Sequence, residues 1–171
     1  MAEAFVGLGS NLGDGQANLL AAWQRLGREP GVVLGALSRP YRTAPVGMES
    51  AQWFTNAVGR VATELAPDKL LGVLLGIEIE LGRDRAAGRD RTVDLDLLLY
   101  DAVESAEPSC TLPHPELGNR LFVLAPLNEL APDLVVPRLE RTVRELCRTA
   151  EEAGQLVERN EWQSGGDPCI P

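Results

Sequence analysis

Two aspartates on a predicted strand are the strongest candidates for chemistry in this sequence. Residues 92–100, Thr-Val-Asp-Leu-Asp-Leu-Leu-Leu-Tyr, have the pattern of a β-strand. Because side chains alternate along a strand, Asp94 and Asp96 share one face, with their α-carbons about 6.5–7 Å apart. Two such carboxylates can reach one hard cation or two adjacent ones, and Mg²⁺ fits because it combines few carboxylates with substrate phosphates. The alternative is an ordinary solvent-facing strand, although aspartate is disfavoured in strands.

A cluster of arginines comes immediately before this strand. Within residues 83–91 the arginines are Arg83, Arg85, Arg89 and Arg91, accompanied by only two aspartates. Guanidinium groups beside a carboxylate metal site suit phosphoryl transfer, in which cations hold the phosphates and stabilise the developing charge. A solvated loop with internal ion pairs is the alternative. The sequence has no G-x-x-x-x-G-K-[ST] motif, so any ATP would be held without a P-loop.

Length and charge narrow the class of protein. The 171 residues predict one domain. With 25 acidic and 16 basic residues the net charge is -9, which disfavours a nucleic-acid partner. There is no apolar run long enough to span a membrane and no signal-peptide pattern, so we expect a soluble, cytoplasmic protein. The three cysteines are widely spaced, and we interpret them as reduced and structural.

The first half of the chain predicts strands alternating with helices. An apolar strand at 4–8 ends in a glycine-rich turn, and a helix with apolar residues at helical spacing follows and stops near Gly27. Strands at 32–43, interrupted by Pro40, and at 53–65 could pair as an antiparallel hairpin. The next helix, 67–81, has Glu78 inside its apolar arc, where a carboxylate is costly without a partner.

The second half predicts fewer regular elements. The strand at 92–100 has Val93, Leu95, Leu97 and Leu99 on the face opposite the aspartates. A loop at 107–120, a short strand at 121–124 and an amphipathic helix at 141–153 come next. We expect one α+β domain over 1–162, with a sheet of mostly antiparallel strands, and a frayed tail over 163–171.

Six motifs, in order between Val6 and Pro137, resemble the 6-hydroxymethyl-7,8-dihydropterin pyrophosphokinase family. They lie at 7–14, 41–47, 54–58, 78–85, 91–98 and 113–127. The resemblance implies a ferredoxin-like α/β sandwich. It also implies transfer of the β,γ-pyrophosphoryl group of ATP to the pterin hydroxymethyl oxygen in folate biosynthesis, with AMP as the second product and two Mg²⁺ ions as cofactors.

The resemblance also assigns residues to roles. The implied metal ligands are Asp94 and Asp96, and the arginines that hold and stabilise the moving phosphates are Arg83 and Arg91. The implied nucleotide site contains Glu78, Arg85, Arg89, Thr111, His114 and Arg120. The implied pterin site places the ring between Phe54 and Phe122, with Asn56 and the backbone of Thr43, Ala44, Pro45, Val46 and Gly47 at its edge. Two aromatic faces and one amide suit a flat heterocycle.

The arginine loop departs from the family pattern. It has no tryptophan and is shorter than in many relatives, so the assignment of Arg89 and the closure of this loop over the substrates stay open. His114 could hydrogen-bond a phosphate, whereas taken alone it is typical of a surface histidine. The first competing hypothesis is a pterin- or nucleotide-binding protein without catalysis. The second is a metal-dependent phosphohydrolase. We expect a monomer acting on small molecules.

Overall fold

A computed structural model describes residues 1–44, 53–82 and 92–163. Its strands are β1 (Ala2–Ser10), β2 (Val32–Leu37), β3 (Tyr41–Thr43), β4 (Phe54–Thr63), β5 (Asp94–Tyr100), β6 (Val135–Val136), β7 (Arg141–Thr142) and β8 (Glu158–Arg159). Its helices are α1 (Gly15–Leu26), α2 (Pro67–Glu80), α3 (Leu121–Leu130) and α4 (Val143–Glu152), with a 3-10 turn at Leu117–Asn119.

One antiparallel sheet organises the domain. Its strand order is β5-β1-β4-β3-β8, and β2 also pairs with β4. All of the recorded pairings are antiparallel, and β6 and β7 form a separate two-stranded ribbon. The predicted hairpin is confirmed, because β2 and β3 both pair with β4 on either side of the break at Pro40. The fold is the predicted α+β sandwich.

Helices cover both faces of the sheet. One core cluster packs α1 and α2 against one face through residues such as Trp23 and Leu74. The other packs α3 and α4 against the opposite face, where Phe5, Val58 and Leu98 meet Leu124. The cores lie on both sides of β1 because alternate residues point in opposite directions.

The prediction for Leu99 is wrong. A period of two places Leu99 on the face of Leu97, but Leu97 packs with α1 and α2 while Leu99 packs with α3 and α4. The register between β1 and β5 shifts there: Val6 pairs with Leu97, and Phe5 pairs with Leu99. The extra residue, Leu98, is a β-bulge, which reverses the alternation beyond it.

The strand predicted at 121–124 is also wrong, because these residues begin α3. A four-residue apolar run does not distinguish a strand from a buried helix. In the structure Leu121, Leu124 and Leu127 are all buried, which is one face of a helix at three-residue spacing. Burial of this face against the sheet and α4 outweighs the cost of a proline inside the helix.

Candidate active site

A cleft of about 960 Å³ opens on the sheet face that carries α3 and α4. It brings together residues from β1, β3, β4, β5, the start of α3 and the segment between α4 and β8. The predicted site residues that line it are Thr43, Ala44, Phe54, Asn56, Asp94, Asp96, Arg120 and Phe122. These residues come from four separate stretches of the sequence.

Glycines on β1 form the floor of the cleft. Gly9 pairs with Asp94 on β5 and with Asn56 on β4, and Gly7 pairs with Asp96. The aspartates and Asn56 therefore flank a strip of backbone without side chains. A Cβ atom added at Gly9 would lie only 3.1 Å from Asn56 Oδ1. The missing side chains leave room for a flat ligand to approach the backbone of the sheet.

We expect Gly9→Val to weaken binding of the pterin that the family resemblance implies by about tenfold or more, because the added side chain crowds Asn56 and enters the cleft. Valine is a good strand residue, so the sheet should still form. Isothermal titration with the reduced pterin measures the effect. Gly72→Ala is the matched control, since nothing lies within 4 Å of a Cβ atom built at Gly72. Binding by Gly9→Val that equals the control would contradict a floor role for Gly9.

Asp94 and Asp96 fit a hard divalent cation. Both line the cleft and both are partly exposed, so a cation could reach them from solvent. Among residues 1–44, 53–82 and 92–163, no group of three or more His, Cys, Asp or Glu side chains could hold a metal. A cation held by this pair would therefore complete its coordination with substrate oxygens and water, which is how Mg²⁺ is usually bound.

Glu78 supports the strand between the two aspartates. It lies in the apolar arc of α2, as predicted, and is only 1% exposed. Its Oε1 accepts a hydrogen bond of 2.6 Å from the backbone N–H of Leu95. Leu95 separates Asp94 from Asp96, so this buried carboxylate fixes the stretch of β5 that presents them. Its predicted place in the nucleotide site stays a prediction.

His114 lies beside the second aspartate. Its Nε2 is 3.9 Å from Asp96 Oδ1, and its backbone N–H donates to Leu98 O. Burial lowers the pKa of His114 below its ordinary value, which favours the neutral imidazole. Because Nδ1 accepts the backbone N–H of Glu116 at 3.2 Å, the proton of the neutral ring is assigned to Nε2. Nε2–H is then a donor for an anionic group near Asp96.

Aromatic and amide groups form the other end of the cleft. Phe54 on β4 and Phe122 in the first turn of α3 both line it, and both are partly exposed. The Arg120 guanidinium lies 5.7 Å from the centre of the Phe122 ring. Asn56 is 6% exposed, and its Nδ2 has no hydrogen-bond partner within the described parts of the chain. A buried amide donor needs a partner, and a heterocyclic ligand would supply one.

Strand β3 is attached to α3 through one carboxylate. Glu129 Oε2 accepts from the Tyr41 hydroxyl at 2.8 Å, and its Oε1 accepts from the backbone N–H of Arg39 at 3.0 Å. Burial and the neighbouring Glu129 raise the pKa of Tyr41. This contact ties the strand that ends at Thr43 to the helix that begins beside Phe122, so it sets the width of the cleft.

We expect Tyr41→Phe to destabilise the protein by about 1 kcal/mol, because it removes this hydrogen bond and leaves a half-buried carboxylate oxygen less well satisfied. Urea unfolding of the two proteins measures the difference. Trp162→Phe, which removes the indole hydrogen bond to Ser38 O on the segment before β3, is the comparison. An unchanged free energy of unfolding for Tyr41→Phe would show that the Glu129 contact does not hold β3.

Several predicted site residues lie elsewhere. Thr111 does not line the cleft, and its hydroxyl donates to Glu107 O at 3.0 Å. His114 does not line the cleft, but it lies next to Asp96, which does. The predicted residues that fall outside the described residues are Pro45, Val46, Gly47, Arg83, Arg85, Arg89 and Arg91, and their roles stay predictions.

The sequence interpretation missed four residues that contribute to the site. The period-two spacing of Gly7 and Gly9 was visible in the strand but was assigned no function. Glu129 gave no signal, because an acidic residue near the end of a helix is common. Gln155 lies in the cleft wall between α4 and β8, and nothing in its neighbourhood of the sequence predicts a place at the site.

Comparison with known proteins identifies the family of this chain. The family model for 7,8-dihydro-6-hydroxymethylpterin-pyrophosphokinase matches residues 5–132. A 2-amino-4-hydroxy-6-hydroxymethyldihydropteridine pyrophosphokinase of Methylorubrum extorquens is 42% identical over 163 residues, covering 94% of this chain and 100% of that protein. A protein of the same name from Haemophilus influenzae is 40% identical over 138 residues, covering 80% of this chain and 86% of that protein.

Solved structures give the same fold. The HPPK-DHPS protein of Plasmodium falciparum superposes with a TM-score of 0.71 at 15% identity, covering 92% of this chain and 47% of that chain. This chain therefore spans about half the length of that solved protein, and at this identity the likeness shows the fold alone. The family match and the two relatives, together with the fold, show that the chain belongs to the 7,8-dihydro-6-hydroxymethylpterin-pyrophosphokinase family.

Proposed function

We propose that the cleft beside β5 and α3 is where this chain transfers pyrophosphate from ATP to 6-hydroxymethyl-7,8-dihydropterin. Family membership supplies the reaction: the chain is an ATP-dependent pyrophosphokinase of folate biosynthesis. The observation that supports the location is the convergence in one cleft of the aspartate pair, two phenylalanines and an Asn56 amide nitrogen that has no hydrogen-bond partner among the described residues.

The aspartates and the aromatic end would bind the two substrates side by side. Asp94 and Asp96 would hold Mg²⁺, and the bound cation would neutralise phosphate charge and orient the phosphate chain. The pterin ring would stack between Phe54 and Phe122, with the Asn56 amide donating to the ring edge. Arg120 would contact phosphate, as would the Nε2–H of His114.

The transfer step needs an oxygen nucleophile and a leaving group in line. The pterin hydroxymethyl oxygen forms a bond to the β-phosphorus, and the bond from that phosphorus to the bridging oxygen of the α-phosphate breaks. AMP leaves with that oxygen, and the hydroxyl proton is released to water. The chain's contribution is to hold the two reacting atoms close and aligned. Arg83 and Arg91 would stabilise the moving phosphates, as the family resemblance implies.

Product analysis tests this function. Purified protein is incubated with Mg²⁺, ATP and the reduced hydroxymethylpterin, and the nucleotides are separated by chromatography. AMP and pterin diphosphate should form in equal amounts, and chelation of Mg²⁺ should stop the reaction. Formation of ADP or of free phosphate would contradict pyrophosphoryl transfer. Intact ATP despite measurable pterin binding would favour the non-catalytic binding protein.

We also propose that residues 1–162 form the catalytic unit and that it acts as a monomer. Support comes from the C-terminal segment, which is part of the fold: the Trp162 indole donates to Ser38 O at 3.1 Å, and Asn160 N donates to Pro40 O at 2.8 Å. Truncation after residue 162 should leave turnover unchanged, and light scattering should give the mass of one chain.

Among the described residues, none of the helices is long and apolar enough to cross a lipid bilayer.

A further inference from the structure

The segment between α4 and β8 forms a wall of the cleft, and the end of α4 fixes where it starts. Gly154 has a positive φ of 89°. Its N–H donates to Glu151 O at 2.9 Å, and the N–H of Gln155 donates to Ala150 O at 3.2 Å. This pair of bonds is a Schellman motif, which ends a helix with glycine in the left-handed conformation. The backbone of Gln155 is therefore held at a defined position on the last turn of α4.

The Gln155 side chain bridges two backbone groups at the start of α3. Its Oε1 accepts from Leu121 N–H at 2.9 Å, and its Nε2 donates to Asn119 O at 2.8 Å. These two backbone groups flank Arg120, and Phe122 follows directly. One amide thus holds the short stretch of chain that carries two of the predicted substrate contacts.

Helix α3 has no capping side chain of its own. Its N-cap residue, Arg120, makes no side-chain cap hydrogen bond, whereas Asp14 caps α1 and Thr142 caps α4. The first N–H groups of a helix need acceptors from outside its own backbone ladder. Gln155 supplies the acceptor for the first of them from a different part of the chain.

Hydrophobic packing holds only the far end of this wall, where Val157 packs against the core that α3 and α4 share. Leu156, the next residue after Gln155, lines the cleft but is 85% exposed. The side chain of Arg120 is also largely exposed and lies 3.6 Å from Glu116, a contact on its own segment. At the near end of the wall, the amide bridge of Gln155 joins the last turn of α4 to the start of α3.

We propose that Gln155 is a positioning residue of the active site, which sets the places of Arg120 and Phe122 by clamping the first turn of α3 to the end of α4. It lies beyond residues 5–132, where the family model matches. The inference rests on the proposed function, because it takes Phe122 as a pterin contact. Gln155 itself need not touch either substrate.

The test compares Gln155→Met with the wild-type protein. Methionine keeps the length of the side chain and removes both hydrogen bonds. We expect pterin to bind about five- to tenfold more weakly, as loss of two modest hydrogen bonds would allow. ATP binding should change less, because Arg120 is one of several cationic groups. Hydrogen exchange at the Leu121 amide should become faster, and Gln155→Glu, which keeps an acceptor for that amide, should restore its protection.

Gln16→Met is the matched control. Gln16 makes the same kind of bridge at another place: its Nε2 donates to Glu161 O at 3.1 Å and its Oε1 accepts from Gln163 N at 2.8 Å. Pterin affinity should not change in that variant. The positioning role would be overturned if Gln155→Met bound pterin as tightly as the wild-type protein does. It would also be overturned if Gln16→Met lost as much pterin affinity as Gln155→Met. Either result would leave the proposed function intact. Absence of pterin binding by the wild-type protein would overturn both.

Discussion

Asp96→Asn should lower turnover by about a hundredfold or more, with a smaller effect on pterin binding. A bound metal contributes several kcal/mol to phosphoryl transfer, and each 1.36 kcal/mol is tenfold in rate. Asparagine keeps the shape of the side chain and removes the charge that a hard cation needs. Asp94→Asn should behave alike, since both carboxylates line the same cleft. Initial rates of AMP formation over a range of Mg²⁺ concentrations measure the effect.

The control for this prediction is Asp133→Asn. Asp133 is exposed and pairs with Arg144 at 2.9 Å, away from the cleft. An exposed pair contributes little to stability, so turnover and Mg²⁺ requirement should match the wild type. The two rates are compared at the Mg²⁺ concentration that gives the wild-type enzyme half of its maximal rate. If Asp96→Asn is as fast as the wild type there, Asp96 is not a metal ligand.

The second large effect is expected for Glu78→Ala. This substitution leaves the buried N–H of Leu95 without its 2.6 Å acceptor, which should cost about 1–3 kcal/mol of stability. The melting temperature should fall by several degrees, and the Mg²⁺ concentration needed for half-maximal rate should rise. The reason for the second effect is that β5 then holds Asp94 and Asp96 less firmly. Thermal unfolding and Mg²⁺ titrations of activity test the two effects separately.

Two further variants test whether the effect of Glu78→Ala comes from the lost hydrogen bond or from the lost negative charge. Glu78→Gln keeps an oxygen that can accept from Leu95 N–H, so the melting temperature should return towards that of the wild type. Glu80→Gln serves as a control on the same helix, because Glu80 is exposed and pairs with Arg25. If Glu78→Ala melts at the wild-type temperature and needs no additional Mg²⁺, then the carboxylate does not position β5.

The sequence alone determined the local features of the site. The period of two in β5 was enough to place Asp94 and Asp96 on one face, because alternation is a property of the strand itself. The helical periodicity of α2 was enough to predict that Glu78 is buried. The ordered motifs were enough to suggest the family. Each of these inferences depends only on the identity of residues or on their spacing within one element. Both can be read directly from the sequence.

The tertiary structure decided how the elements meet. The bulge at Leu98 moved Leu99 to the other core, and packing against the sheet and α4 made residues 121–130 a helix. The partner of Glu78 was not predictable, because a hydrogen bond to Leu95 depends on where α2 lies against β5.

The contacts of Glu129 and Gln155 join elements that are far apart in sequence. No pattern encodes such contacts, since they follow from the packing of α3 and α4 on one face of the sheet. The chemistry of this protein could therefore be predicted from residue types and spacing, whereas the shape of its cleft follows from packing between elements.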